Sequence, residues 1–329
     1  MAELKSVSVA GHGSCVPDKV LDNAYFEKIV ETSDEWITTR TGIKERRIVE
    51  PETVTSDLAT KAALKALESA QITAEQLDLI IIGTVTPDHP FPSTACYVQK
   101  NIGAVNASAF DISAACSGFM YSLNVGCRMV STGNYKNALV IGADILTRIT
   151  DYTDRASCVL FGDGAGAVIL QPNNQGHEVV YTQTGADGRG ADVMVQPAGG
   201  SRNPASHKTV DERMHYMRLR GREIYKFAVM KMADLVTEAA KACNIKVEDI
   251  ALVIPHQVNQ RILEAAAERL NISMDKIFVN IHKYGNTAAA SAPIAFDEAA
   301  RSGRLKKGDY AVLVAFGGGL TWGVTVLKW

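Results

Sequence analysis

The sequence lacks most features that mark a site unaided. Its 329 residues hold six cysteines (15, 96, 116, 127, 158 and 243) with no CxxC, and seven histidines with no HxxxH or HExxH. Neither a disulfide framework nor a metal site is suggested, and most of these thiols are expected to be small buried apolar groups. No stretch approaches the ~20 apolar residues of a membrane span, and Met1–Ala10 has neither the basic nor the apolar segment of a signal peptide. The expectation is a cytoplasmic protein without membrane contact. Charge of one sign is missing too: Lys+Arg 34 against Asp+Glu 36 leaves −2, so nucleic-acid phosphate exerts no general attraction and an anionic ligand needs a local patch. No GxxxxGK[ST] occurs, which argues against a Walker-type ATPase.

What is present is a 47% hydrophobic, 21% charged chain with 26 Gly and 7% aromatics, the profile of a folded α/β protein. It is long enough for two packed units of about 150 residues. Apolar runs at Leu79–Thr84, Ala138–Gly142, Ala167–Leu170, Leu252–Ile254, Ala311–Ala315 and Gly323–Leu327 alternate with helical patterns at Ser56–Ala70, Ile224–Cys243 and Val258–Leu270. That alternation predicts a mainly parallel sheet covered by helices.

The halves repeat one module. In each, an apolar strand (Leu77–Ile82; Ile250–Ile254) leads to a helix, a short strand (Ser108–Ile112; Ile277–Ile281), a small-residue helix, a turn glycine, another strand (Ala138–Gly142; Ala311–Ala315) and a glycine run (162–166; 317–319). The halves divide as 1–173 and 174–329. Gly133 lies 17 positions after Cys116, and Gly303 lies 17 positions after Asn286. Cys116 and Asn286 are therefore expected at equivalent helix openings, facing each other across a pseudo-twofold axis. His256 follows a repeat strand at its C-terminal end, where open α/β sheets place ligands. Residues 173–221 have no evident counterpart and read as an insertion.

Each of these residues has an ordinary reading: packed core cysteine, hydrogen-bonded core histidine, helix-capping asparagine. Their convergence favours chemistry. A thiol at a helix opening meets free N–H groups and the positive end of the helix dipole, which favour thiolate. A neutral imidazole can take its proton or donate to an oxyanion, and an amide donates without titrating. The glycine runs lead into strands instead of helices, so they read as tight turns and not as nucleotide loops. Gly318 N–H, with that of Cys116, is a candidate oxyanion hole. Trp36 beside Arg40, Lys44, Arg46 and Arg47 suits an adenine ring and its phosphates; a solvated charged turn is the alternative.

These residues carry a resemblance over essentially the whole chain. Asp34-Glu-Trp-Ile, Arg40-Thr-Gly-Ile43, Ala114-Ala-Cys-Ser-Gly118, Phe161-Gly-Asp-Gly-Ala-Gly166, Pro255-His-Gln-Val-Asn259, Tyr284-Gly-Asn-Thr287 and Ala315-Phe-Gly-Gly-Gly319 resemble a β-ketoacyl-acyl carrier protein synthase III. The resemblance implies a thiolase-like fold of two pseudo-twofold-related βαβ halves in α/β/α/β/α layers. It implies a Cys116, His256, Asn286 triad that takes an acyl group, acetyl first, from coenzyme A and condenses it with malonyl-carrier protein after loss of CO2. No metal or redox cofactor is expected, coenzyme A thioester being a substrate. By motif match, Trp36 and Arg155 would sandwich the adenine, and Arg40 and Asn259 would hold phosphate and pantetheine. Phe91 would cross a homodimer interface to close the acyl pocket.

The sequence also departs from the family pattern. The coenzyme segment reads Gly221-Arg-Glu-Ile-Tyr-Lys226 where Gly-Asn-Glu-Val-Phe-Lys is common. The basic face for an acidic carrier protein, with Lys226, Arg261 and Arg269, is interrupted by Glu264 and Glu268. Degradative thiolases resemble a pattern with a second cysteine where Ala315 stands, and elongating synthases one with a second histidine in place of Asn286. Starter-loading synthases of secondary metabolism share the triad, and a Cys116–His256 thioester hydrolase is the rival reaction.

Overall fold

The computed structural model describes residues 4–172 and 176–329; the 173/174 division of the halves lies outside the described residues. The strands of the main sheet are β1 (Val7–Cys15), β2 (Leu79–Gly83), β3 (Ser108–Ile112), β4 (Ala138–Ile145), β5 (Asp163–Pro172), β6 (His177–Ala186), β7 (Ile250–Pro255), β8 (Tyr310–Gly317) and β9 (Thr321–Lys328). The helices that matter to the site are α1 (Asp34–Thr41), α2 (Thr55–Ala70), α3 (Thr94–Ile102), α4 (Gly118–Ser131), α5 (Gly221–Ala242), α6 (Gln260–Leu270) and α7 (Ser291–Arg301).

Strand alternation sorts the side chains into layers. Ile80, Ile82, Leu139, Ile141 and Ile169 pack on α2 through Ala59, Ala62, Ala63 and Ala66. Their neighbours Leu79, Ile81, Val140, Leu252, Ile254 and Leu313 point the other way, onto Phe119 and Leu123 of α4 and Ala295 and Phe296 of α7. Val253, Val312, Val314 and Val324 face Met232 and Val236 of α5 and Ile262 and Leu263 of α6. The result is helix, sheet, helix, sheet, helix, the expected layering.

The strand order is β7-β8-β9-β6-β1-β5-β4-β2-β3. The β6–β1 junction between the halves has two residue pairs, Ser8–Glu178 and Val9–His177. Contrary to the mainly parallel expectation, three pairings are parallel, β2–β3, β2–β4 and β7–β8. Five are antiparallel. Helical crossovers produce the parallel pairs; β9 turns straight back on β8, and β5 returns antiparallel to β4 after the segment 146–162, connections that no long helical pattern reports.

Three further expectations change. Residues 277–281 are not a strand: Ile277 makes one bridge to Val253. The peptide N–H groups of Asn280 and Ile281 then donate to Gln257 Oε1 (2.9 and 3.1 Å), which turns the chain into a helix over Ile281–Tyr284. The 173–221 stretch is not wholly an insertion, since β6 takes in its half the place that β1 takes in the other. Residues 163–166 are not a turn but lie inside β5, where small residues admit α7 close to the sheet.

Candidate active site

Beyond β3 the chain enters a one-turn 3-10 helix, Ala115–Ser117, that runs into α4. Ala115 has φ 46°, a left-handed conformation costly for alanine. Ser117 secures the turn: its Oγ lies within hydrogen-bond distance of Ala114 O (2.8 Å) and of the Thr321 hydroxyl (2.7 Å) of β9, its one proton serving one of them. Cys116 is thus presented 6% exposed, packed with Leu146, Phe161 and Ala288. Gly317, the last residue of β8, lies so close that a Cβ there would stand 2.7 Å from Cys116 N. Gly318 follows and lines a cavity of about 400 Å³ with Val85, Ala115, Ile149, Met194 and Met217.

The internal symmetry differs from the glycine-spacing expectation. Leu79 pairs with Ala138 and Leu252 with Ala311, corresponding residues 173 positions apart in the chain. Ala115 and Ala288 obey the same shift: they share φ 46° and 44° and both open a 3-10 turn, here Ala288–Ala290. The counterpart of Cys116 is therefore Ala289, not Asn286. The turn glycines misled because α4 has 14 residues and α7 has 11, so the helices correspond at their openings but not at their ends.

Asn286 instead reaches the site from the segment just before that turn. Its backbone is clamped, N–H to Leu160 O (2.9 Å) and C=O from Gly162 N–H (3.0 Å), which sets it beside Phe161. Its Oδ1 accepts from Ala288 N–H (2.9 Å), so the group it has left to offer is the Nδ2 donor. Phe161 and Ala288 thereby join Asn286 to the Cys116 pocket.

His256 follows Pro255 at the end of β7, its N–H donating to Val314 O (2.8 Å). Its ring sits edge-on to Phe316, centroids 5.8 Å apart, next to the Gly317 that touches the Cys116 turn. It is 1% exposed, and both ring nitrogens lack a protein partner. Gln257, which the sequence reading passed over, fixes this segment: Nε2 donates to Pro255 O and Phe278 O (both 2.9 Å), and its N–H donates to Ser291 Oγ (2.7 Å). A glutamine beside an apolar strand was its one sequence signal.

Burial pushes the Cys116 thiol up to about 12, assisted by the Asp144 carboxylate, and pushes the His256 imidazole down to about 3. The expected resting thiolate is corrected: the opening amides are outweighed by removal of the charged form from water, and the pair rests as thiol and neutral imidazole.

The outer residues separate into several groups. Arg155 and Arg40 stand 4.9 and 5.9 Å from the Trp36 ring centroid, a cation–aromatic cluster at the surface. Arg46 does not belong to it. It is 0% exposed, donates to Val159 O and Asn23 Oδ1, and lies over Phe26, so it holds no phosphate. Asn259 caps α6 through Arg261 N–H (2.9 Å) and donates to Arg40 O (3.0 Å), and Arg261 Nε donates to Thr39 O (2.9 Å); both tie α6 to α1. Arg269 faces Asp234 at 3.7 Å, and Lys226 is exposed on α5. Phe91 is 85% exposed. Among the described residues no three His, Cys, Asp or Glu side chains gather as a metal-holding group, and no helix is long and apolar enough to cross a membrane.

Comparison with known proteins adds the family. Residues 110–188 match the profile described as 3-oxoacyl-[acyl-carrier-protein] synthase III, and residues 240–329 its C-terminal profile. A β-ketoacyl-[acyl-carrier-protein] synthase III of Caldanaerobacter subterraneus subsp. tengcongensis is 53% identical over 100% of this chain and 99% of its own. The crystal structure of the 3-oxoacyl-[acyl-carrier-protein] synthase III of Aquifex aeolicus VF5 superposes with TM-score 0.90 at 47% identity, over 98% of this chain and 100% of that one. A priming β-ketosynthase of the R1128 polyketide pathway superposes at 0.92 with 29% identity, over 100% and 97%. Fold and site thus define an acyltransferase-type condensing enzyme on a thiolase-like scaffold. Within that class the chain belongs to the β-ketoacyl-[acyl-carrier-protein] synthase III family, the initiating condensing enzymes of fatty-acid synthesis.

Proposed function

We propose that Cys116, His256 and Asn286 are the catalytic residues of a two-stage condensation that starts from acetyl-CoA. His256 takes the thiol proton as Cys116 Sγ bonds to the acetyl carbon; the thioester bond to coenzyme A breaks, and the proton leaves on its sulfur. Malonyl-carrier protein then loses CO2. The electron pair of the broken C–C bond forms an enolate, to whose oxygen His256 and Asn286 donate. The enolate carbon attacks the acyl carbon, and Cys116 departs as thiolate and takes one proton from solvent. The amides of Cys116 and Gly318 receive the tetrahedral oxyanion. This sequence asks for no metal or redox cofactor.

The carrying observation is the imidazole of His256, buried without a protein partner on either nitrogen. Such a group is costly, and a substrate oxygen beside Cys116 accounts for it. The cavity lined by Met194, Met217, Ile149 and Val85 supports a short acyl chain. Trp36 with Arg155 and Arg40 holds the coenzyme nucleotide. Lys226, Arg261 and Arg269 meet the acidic carrier, and Phe91 closes the acyl pocket of a second subunit in a cytoplasmic homodimer.

Incubation with acetyl-CoA should add one acetyl group by intact mass, absent in Cys116→Ala, and malonyl-carrier protein should discharge it as 3-ketoacyl-carrier protein. Wild-type protein that never acylates refutes the proposal. Acylation followed by release of free acetate alone would make the enzyme a hydrolase.

A further inference from the structure

The shift of 173 residues that equates Ala115 with Ala288 also equates Asp144, near the end of β4, with Gly317, at the end of β8. The two contacts are reciprocal. Gly317 of the second half abuts Cys116 N of the first; Asp144 of the first half reaches Ala289 N of the second, its Oδ2 accepting at 3.0 Å. Ala289 is the counterpart of Cys116. A carboxylate oxygen therefore rests on the same backbone amide that, in the other half, is left bare by a glycine and meets the reaction oxyanion.

The other oxygen of Asp144 is equally committed. Oδ1 accepts from Val85 N (2.8 Å), Thr86 N (3.2 Å), Thr86 Oγ1 (2.8 Å) and Thr84 Oγ1 (3.1 Å), and Thr86 Oγ1 accepts from Ile145 N (2.8 Å). Ile145 is the counterpart of Gly318, so both amides of the second potential oxyanion hole are filled from within the protein. The carboxylate is 0% exposed, and all five of its partners are donors.

We infer that Asp144 is a positioning residue for the decarboxylation half-reaction: its carboxylate holds the Ala288–Ala290 turn and through it Asn286, whose Oδ1 accepts from Ala288 N–H. This rests on the condensing reading above. The Cys116 turn is secured separately, by Gly317, Ser117 and Thr321, so the two half-reactions depend on Asp144 unequally. Asp144 is also the neighbouring charge that acts on the Cys116 thiol; the other groups about the carboxylate, the Thr84 and Thr86 hydroxyls and the Ala289 amide, are uncharged.

Asp144→Asn is close in shape but supplies one acceptor where two are needed, so either Ala289 N–H or the 84–86 donors lose a partner. Cys116 acetylation by acetyl-CoA should stay within about threefold of wild type, while decarboxylation of malonyl-carrier protein falls about tenfold or more. The pH profile of Cys116 alkylation by iodoacetamide should move to lower pH. Thr86→Val, which removes one hydroxyl, should shift the ratio of half-reactions the same way by less, and serves if Asp144→Asn does not fold. An unchanged ratio, or equal loss of both half-reactions as for a general scaffold residue, overturns the inference. If wild-type protein itself fails to decarboxylate, the condensing reading fails, and an alkylation profile unmoved in Asp144→Asn separately overturns the role of Asp144.

Discussion

Gly317→Ala tests whether bare backbone beside Cys116 is a requirement of the site. The added Cβ would stand 2.7 Å from Cys116 N, 3.0 Å from Ser117 N and 3.3 Å from Ala114 O. All three are backbone atoms, so no flexible side chain can swing clear. Ordinary contact begins near 3.4 Å, so β8 and the Cys116 turn must part by about 0.7 Å. Overpacking of this kind costs about 1–3 kcal/mol, a fall in Tm of roughly 2–12 °C at the ~2–4 °C per kcal/mol of a large domain.

The chemical effect should exceed the thermodynamic one. Oxyanion donors must stay within ~0.5 Å of their productive place, and loss of one costs about 10²–10³ in rate. Single-turnover acetylation, followed by intact mass, should therefore slow about a hundredfold or more. Gly188→Ala is the control, because nothing lies within 4 Å of a Cβ there. A Gly317→Ala protein that acetylates at the wild-type rate and melts at the wild-type temperature would refute the reasoning.

Asn286→Ala should still accept acetyl from acetyl-CoA but lose condensation by about 10²–10³, the loss expected when one oxyanion donor is removed, and full condensation by Asn286→Ala would contradict its assignment; His256→Ala should lose condensation likewise and also acetylate about 10²–10⁴ more slowly, because the thiol proton then has no base. Because burial raises the Cys116 thiol to about 12, its thiolate appears as pH rises, and peptide-resolved alkylation should keep climbing through pH 9; a plateau by pH 8 would show a lowered thiol instead. Arg46→Met strands the Val159 carbonyl and Asn23 Oδ1 in the interior, so urea unfolding should show a loss of about 2–3 kcal/mol; an unchanged midpoint would show the guanidinium to be dispensable.

The sequence made legible whatever rests on local pattern. The expected strand Ser108–Ile112 is β3 itself, Ser56–Ala70 differs from α2 by one residue, and the helical pattern Val258–Leu270 differs from α6 by two. Small-residue runs marked the helix opening at Cys116 and the approach to the one at Ala288, which is why Cys116 and Asn286 stood out. What stayed hidden depends on partners far along the chain. Arg46 sits in a polar, basic stretch, and its burial comes from Val159, 113 residues away. The apolar run 277–281 looks like a strand until Gln257 takes its amides. Asp144 lies two residues beyond the expected strand Ala138–Gly142, and its meaning emerges once both halves can be superposed.

The neutral state of the Cys116–His256 pair bears on both proposed stages. In acyl transfer an unprotonated imidazole is ready to take the thiol proton at any pH well above 3, and because coenzyme A leaves carrying that proton, His256 returns to neutral before the second substrate arrives. Decarboxylation then finds an imidazole with an N–H to donate and no buried positive charge to sustain, which would be expensive at 1% exposure. A resting thiolate–imidazolium pair would supply the first stage with a better nucleophile, yet it would leave His256 charged in a site where Asn286, the Cys116 amide and the Gly318 amide are all uncharged donors. Enolate stabilisation by fixed neutral donors needs no proton to be gained or lost between the stages, and one imidazole can then serve as base in the first and as donor in the second.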